Sequence, residues 1–309
     1  MVLMRTLMRA VTWRLSIPIF MEFVLLLSQL GVAAPEENPE TPRLWRLGMG
    51  VGVIRLEHYP ASADVRDYFI PFPIFEYLGD VVRADDQSGA RAFLLKDESW
   101  SLSFTFGGFP MLKSSEDQVR QGMPDLPWAV YIGPQFKKKM GSWEYHLAAY
   151  QGVTTDLSVT HVNGAFFEAE MQYQWAVDIT PSKWTGKLWT EGHLTLTLNG
   201  FDENFAALYF TVAPEYATPD RPAYRARGGL LSKEFSYLQS FHTGRTWLYL
   251  QSSLSNYDIS ANRMSPLHRS DHNWTFFVGL AYDLFSSSKE SIPEEQSKGL
   301  FEKSIRDSD

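Results

Sequence analysis

Three groups of side chains have the types and spacing for chemistry. Asp156, Ser158 and His161 fall within six residues and read as a hydrolase set. A serine needs a neighbouring base to lose its proton, and the base needs an acid to orient it. Six residues of one loop cannot hold that geometry by themselves, and the competing reading is a loop braced by its own hydrogen bonds. His268 and His272, with Asp271 between them, have a spacing that holds a metal when it falls on a helix; in a polar loop the same residues are merely solvated. Glu144, His146, Glu168 and Glu170 occupy the polar faces of two neighbouring segments. They read either as a lining that favours cations in a pore or as a charge network that fills an interior. No residue is assigned on these grounds as a catalytic, cofactor-binding or metal site, and the expected class is not an enzyme.

The elements that must position these side chains alternate with period two. Trp100, Leu102, Phe104 and Phe106 share one face of a segment whose other face is Ser99, Ser101, Ser103 and Thr105. Ala165, Phe167, Ala169, Met171, Tyr173 and Trp175 likewise oppose Phe166, Glu168, Glu170, Gln172 and Gln174. Successive side chains leave a pleated backbone on opposite sides, so this alternation means strand. The chain is 15% aromatic, with 10 Trp and 21 Phe, yet its mean hydropathy is only -0.22. That combination excludes a bundle of membrane helices and fits a barrel with lipid outside and water inside, whose tryptophans gather at the interfaces. The expected fold is all-β, a transmembrane antiparallel up-and-down barrel. There is no cysteine, so disulfides contribute nothing to its stability.

Residues 1–33 read as a secretory signal peptide: Arg5, Arg9 and Arg14 precede an apolar stretch from Ile17 to Leu27 and a small-residue exit at Gly31-Val32-Ala33-Ala34. Cleavage is expected after Ala33. The leader carries three Arg and one Glu of a chain whose formal charge is -8, so the exported part is more acidic still, which argues against nucleic acid as a partner. Residues 34–43 are a proline-rich periplasmic linker, residues 44–285 the barrel, and residues 286–309 a polar C-terminal tail in which Leu300, Phe301 and Ile305 have helical spacing.

About twelve strands are expected, within a range of ten to fourteen, at 44–56, 67–77, 80–85, 89–96, 99–107, 127–138, 142–151, 163–176, 188–199, 226–239, 245–256 and 273–285. With the first strand rising from the periplasm, the connections sort by length as they do in outer-membrane barrels. Those on the periplasmic side are short except 177–187, and those outside are long except 86–88. This sorting assigns Trp45, Trp100, Trp143, Trp175, Trp189 and Trp247 to the periplasmic interface and Trp128 and Trp274 to the outer one. Lys137-Lys138-Lys139 falls at a periplasmic turn, solvated or attractive to an acidic partner. Pro71 and Pro73 remove ladder donors, so Phe72 is expected beside a bulge or at a loosely paired position.

Several segments, in order, resemble the MipA/OmpV family of outer-membrane proteins. Leu47-Gly48-Met49-Gly50-Val51-Gly52 is similar to its glycine-rich first strand, and His58-Tyr59-Pro60-Ala61-Ser62-Ala63-Asp64 to the turn that follows. Ile70-Pro71-Phe72-Pro73-Ile74-Phe75-Glu76-Tyr77 resembles its Pro-x-Pro segment, Asp156 to Gly164 its Asp-x-Ser-x-x-His stretch, and Tyr209-Phe210-Thr211-Val212 with Pro222-Ala223-Tyr224 and Gly228-Gly229-Leu230 a later loop. Ala61 and Thr211 stand where the family pattern has glycine. The last strand, through Phe285, resembles the aromatic-ended signal read by the barrel-assembly machinery. The resemblance implies a non-enzymatic scaffold whose partners, besides outer-membrane lipid, are a lytic transglycosylase and a penicillin-binding protein. The alternatives are a small diffusion channel and a surface adhesin acting through its long external loops. No cofactor is implied.

Overall fold

Twelve of the alternating segments become antiparallel strands, each hydrogen-bonded to its sequence neighbours, with β1 closing on β12. The strands are β1 (Trp45–Glu57), β2 (Val65–Leu78), β3 (Val82–Asp85), β4 (Gly89–Asp97), β5 (Trp100–Phe109), β6 (Trp128–Met140), β7 (Trp143–Thr155), β8 (Thr160–Asp178), β9 (Trp189–Phe201), β10 (Gly229–Thr243), β11 (Thr246–Asn256) and β12 (His272–Ser286). One short helix, α1 (Glu203–Phe210), lies between β9 and β10. The computed structural model describes residues 43–85, 89–109, 112–155, 160–182 and 186–291. The leader, the linker up to residue 42, and Leu300, Phe301 and Ile305 of the tail lie outside the described residues.

Closure follows from alternation. Leu47, Met49, Val51 and Val53 of β1 and Phe276, Val278 and Leu284 of β12 face outward and are exposed. Their inward neighbours include Arg46 and Asp283, which are buried. An apolar outer band over a polar interior is the geometry of a membrane-spanning barrel. Gly50 and Gly52 point inward and let the Phe72 and Phe277 rings lie close to the inner wall: a Cβ on Gly50 would sit 2.4 Å from the Phe72 ring. The turns at 79–81, 98–99, 141–142 and 244–245 are short and lie, with the longer 179–188, at one rim. The connections 58–64, 110–127, 202–228 and 257–271 lie at the other. Between β7 and β8 only four residues separate the strands, because both run further toward that rim than their alternation indicates.

One expectation is narrowed and two are corrected. Of the two alternatives for Phe72, the bulge is absent, because β1 and β2 pair without a register shift from Trp45↔Tyr77 to Glu57↔Val65; the loose pairing is present, on the other side of β2. Trp189 and Trp247 are not lipid-interface anchors. They flank His242 in one row of the sheet, with the His242 and Trp247 rings 4.0 Å apart, and the Trp247 Nε1 donates to the buried Asp283 on the inside. Lys139 belongs to β6, which runs on to Met140, so the turn itself is 141–142; Lys137, inside the expected strand, turns inward to Glu144.

The four long connections fold together over the open end. Tyr59 Oη donates to Leu267 O at 2.9 Å, Ser265 Oγ to Phe210 O at 2.7 Å, and Asn262 Nδ2 to Arg227 O at 2.8 Å. The Arg221 guanidinium bonds the carbonyls of Tyr216, Val119 and Gln121. Ala61 keeps the left-handed turn despite its side chain, with φ 65°, and its carbonyl accepts from both Arg269 N and Ser270 N. Thr211 needs no glycine because it is extended at φ -78°, and its Oγ1 accepts from Ala226 N. Helix α1 starts on Asp202, whose side chain accepts from Phe205 N at 2.8 Å; Gly164 of β8, at φ 61°, passes so close that a Cβ there would meet the Asp202 carboxylate at 2.0 Å. Phe205 and Phe210 are fully buried in the resulting core. Phe205→Ala should lower the unfolding free energy by about 3–5 kcal/mol, the cost of emptying a well-packed aromatic site. Urea titration in lipid vesicles measures this, with the lipid-facing Phe276→Ala as the comparison expected to lose clearly less.

Candidate functional site

The interior changes character along its length. Near the loop-bearing rim the inward residues of β6 to β9 are aromatic: Tyr131, Tyr150, Phe166 and Phe201 stack in sequence, with ring centroids 4.9 to 5.7 Å apart. Phe205 and Tyr209 of α1 complete this cluster from above, at 4.8 and 5.8 Å from Phe201. Burial raises the Tyr209 phenol well above its ordinary range, so it remains neutral inside the apolar cap.

Between the cap and the wall lies a cavity of about 220 Å³. Phe166, Leu208, Tyr209 and Leu231 give it an apolar side; Glu57, Asn199, Ser232, Glu234, Ser255 and Tyr257 give it a polar one. Glu57 accepts from Tyr257 Oη and Asn273 Nδ2, and Glu234 accepts from Ser255 Oγ at 2.8 Å. Burial, and then the charge of Glu57, raise the Tyr257 phenol, which keeps its proton and donates it in that bond. Asn199 Nδ2 reaches Ser232 Oγ at 3.3 Å, while its Oδ1 is buried without a partner.

Further down, the residues singled out by alternation meet. Glu144 receives Lys137 Nζ at 2.7 Å, Gln174 Nε2 at 3.1 Å and His146 Nε2 at 3.3 Å, and His146 Nδ1 lies 3.2 Å from Glu170 Oε1. Glu168, in register with Ala148 and Asn199, faces inward as well. A second ionic cluster closes the lower wall: Arg46 pairs with Glu76 at 3.1 Å and Asp283 at 3.3 Å and lies 4.1 Å over the Trp247 ring. Glu76, Glu144, Glu170 and Asp283 are cross-braced by cations and amides, which is the charge-network arrangement rather than a bare acidic lining.

The other sequence candidates do not assemble. Asp156 and Ser158 lie outside the described residues, and His161 is seen only as a β8 backbone position opposite Thr154. His268 and His272 share no helix: His268 packs under the loop, 3.0 Å from Asp271, and His272 is the exposed first residue of β12. The His268 hydrogen bond, followed by that of Arg263, holds the Asp271 carboxyl below its ordinary value.

A different trio was missed. His58, Asp64 and Asp117, from two loops far apart in sequence, bring their ligand atoms within 4.8 Å of one another. Asp117 is almost wholly buried, and both of its oxygens are occupied: Oδ2 by His58 Nδ1 and Ser62 Oγ at 3.2 Å each, Oδ1 by the amides of Val119 and Arg120 at 3.0 Å each. Asp64 accepts from Gln118 N at 2.8 Å. In a hydrolase the histidine would bridge serine and acid; here the acid bridges serine and histidine, so Ser62 has no base. The trio is a latch that fastens the β5–β6 loop to the β1–β2 loop. Only the tertiary structure reveals it, since nothing local pairs residue 58 with residue 117.

With this geometry in hand, the comparison with known families is decisive. A family model described as MltA-interacting protein MipA matches residues 48–284, from the first strand of the barrel to the last. The chain belongs to the MipA family. No curated protein matches it closely enough to narrow the assignment within that family. The match covers the glycine-rich β1, the Pro-x-Pro run in β2, the latch and the cap. For this MipA-family barrel the latch supplies a direct test. Asp117→Ala orphans four donors, each costing about 1–3 kcal/mol when left buried and unbonded. The β5–β6 loop should then be cut by trypsin at low enzyme ratios, while the barrel keeps its heat-dependent gel shift. Equal resistance of both proteins would remove the latch reading.

Proposed function

We propose that this chain is an outer-membrane protein, exported by a leader cleaved after Ala33, and that it is a non-enzymatic scaffold for periplasmic murein-synthesising and murein-degrading enzymes. The observation that carries this reading is the contrast between the two rims. At the loop-bearing rim, four connections bury a shared apolar core over the opening, which supports a plugged rather than an open barrel. At the other rim both ends of the barrel chain emerge side by side. Leu44 N donates to Lys289 O and Ser287 N to Trp45 O, each at 2.9 Å, and Arg43 bridges Glu290. Short turns and the two ends of the barrel segment make up the surface that would face the periplasm, where a wall enzyme would meet the barrel. The family's description, MltA-interacting protein, points to a partner of the same kind. The expected partners are accordingly a lytic transglycosylase and a penicillin-binding protein.

The channel alternative is disfavoured by the cap, and the adhesin alternative by the inward packing of the same loops. Two measurements separate the readings. Detergent extracts passed over the immobilised full chain should yield murein enzymes above the level retained by an unrelated barrel, and equal recovery would overturn the scaffold. In planar bilayers, verified insertion should give no conductance steps, and regular steps would restore the channel.

A further inference from the structure

Among the described residues the barrel wall is paired least at β2–β3. β2 pairs with β1 along thirteen positions, but with β3 only at Tyr77↔Ala84 and Leu78↔Arg83. β3 has four residues, well short of the about 9–11 needed to cross a bilayer. From Val65 to Phe75, β2 therefore has a ladder partner on one side only, among the described residues. The outward side chains along this edge are Phe69, Pro71, Pro73 and Phe75, with Phe69 71% and Phe75 58% exposed. Above them the Arg55–Asp67 ion pair marks the outer interface, and below them Tyr77 sits opposite Trp45. The open edge thus runs through hydrocarbon.

The prolines are placed for such an edge. In an antiparallel ladder, alternate residues turn their N–H groups to opposite neighbours, so positions two apart point the same way. Pro71 and Pro73 fit an uninterrupted ladder with β1 without lost bonds only if both nitrogens face away from it, toward the side where β2 lacks a partner. Of the four positions from Phe69 to Phe75 that face this side, two have no N–H to leave unbonded. An edge missing two successive donors is also a poor template for an added strand, which argues against a peptide or a second copy as its occupant.

Behind the edge lies a cavity of about 350 Å³. Phe72, Ile74, Leu238, Tyr249 and Phe277 line it, with Arg46, Glu76 and Gln251 at its polar part, and its lining reaches Pro73 and Phe75 of the opposite strand face. Ile74 and Tyr249 belong to a separate apolar cluster with Phe72, Trp247 and Phe277, distinct from the cap. An apolar cavity inside a barrel, next to a break in the wall at membrane depth, is in contact with one abundant apolar molecule, the acyl chain of the surrounding lipid.

We infer that the β2–β3 seam is a lateral portal through which a lipid acyl chain enters the lumen and lies against Phe72, Ile74 and Phe277. The chain's lack of cysteine makes the test direct. Phe72→Cys and Ile74→Cys, each labelled with bimane, report from inside the seam; Phe75→Cys reports from the lipid face, and Thr195→Cys from the inner wall of β9. Variants that retain the folded gel shift are placed in vesicles whose phospholipid acyl chains are brominated. Either inner seam position should be quenched at least twofold more than Thr195→Cys, approaching Phe75→Cys. Quenching below that ratio at every seam position that folds would overturn the portal. The two positions are independent, so failure of one variant to fold leaves the test intact.

Discussion

A backbone amide or carbonyl surrounded by hydrocarbon has no water to bond, and the rest of this molecule follows from that constraint. A sheet meets it only by returning to its first strand, and β1 does so by pairing with β12 over ten positions as well as with β2. Closure with an even number of strands brings both ends of the barrel to one rim, and with them the clasp between residues 43–45 and 287–290. The long connections are left for the other rim. The β2–β3 junction, with two paired positions, is where the constraint is met least completely, and there the chain carries two residues that have no N–H at all.

Closure creates an interior, and the interior is stabilised in two ways. Its lower part is polar: lysine, histidine, arginine and amide donors from neighbouring positions answer Glu76, Glu144, Glu170 and Asp283, so the cost of enclosing those charges is offset locally. Its upper part is aromatic and gains from burial, because α1 and the loops bring down a second apolar surface to match. The cap is therefore a small soluble-type core seated in a membrane barrel. The buried Asp117 holds it closed by joining loops that the barrel alone would leave independent.

Several elements were legible because their cause is local. Strand positions followed from alternation, which survives any context, and the observed strands agree with it to within a few residues at most ends. The inward grouping of Glu144, His146 and Glu170 was legible for the same reason. Helix α1 was not. Glu203 to Phe210 is too short and too uniformly apolar to show a helical face, and it is fixed by its Asp202 cap and by burial against Phe201. Trp189 and Trp247 were assigned to the lipid interface because a tryptophan near a strand end sits there in most barrels. Which side it faces depends on parity within the strand and on a partner such as Asp283, distant in sequence. Lys139 was left to the turn for want of knowing that β6 continues to Met140.

By itself, the sequence determined the class of fold, the number and limits of most strands, the two-rim asymmetry of the connections and the family resemblance. Each of these is written in the spacing of neighbouring residues. Tertiary structure alone decided that the mouth is capped, that the Asp117 latch exists, that Glu144 and Asp283 are braced, and that β2, among the described residues, is open on one edge. These depend on contacts between residues such as His58 and Asp117, or Glu57 and Tyr257, separated by loops and strands that local periodicity cannot see across. Alternation fixes which face a side chain takes; only the closed barrel fixes what it meets there.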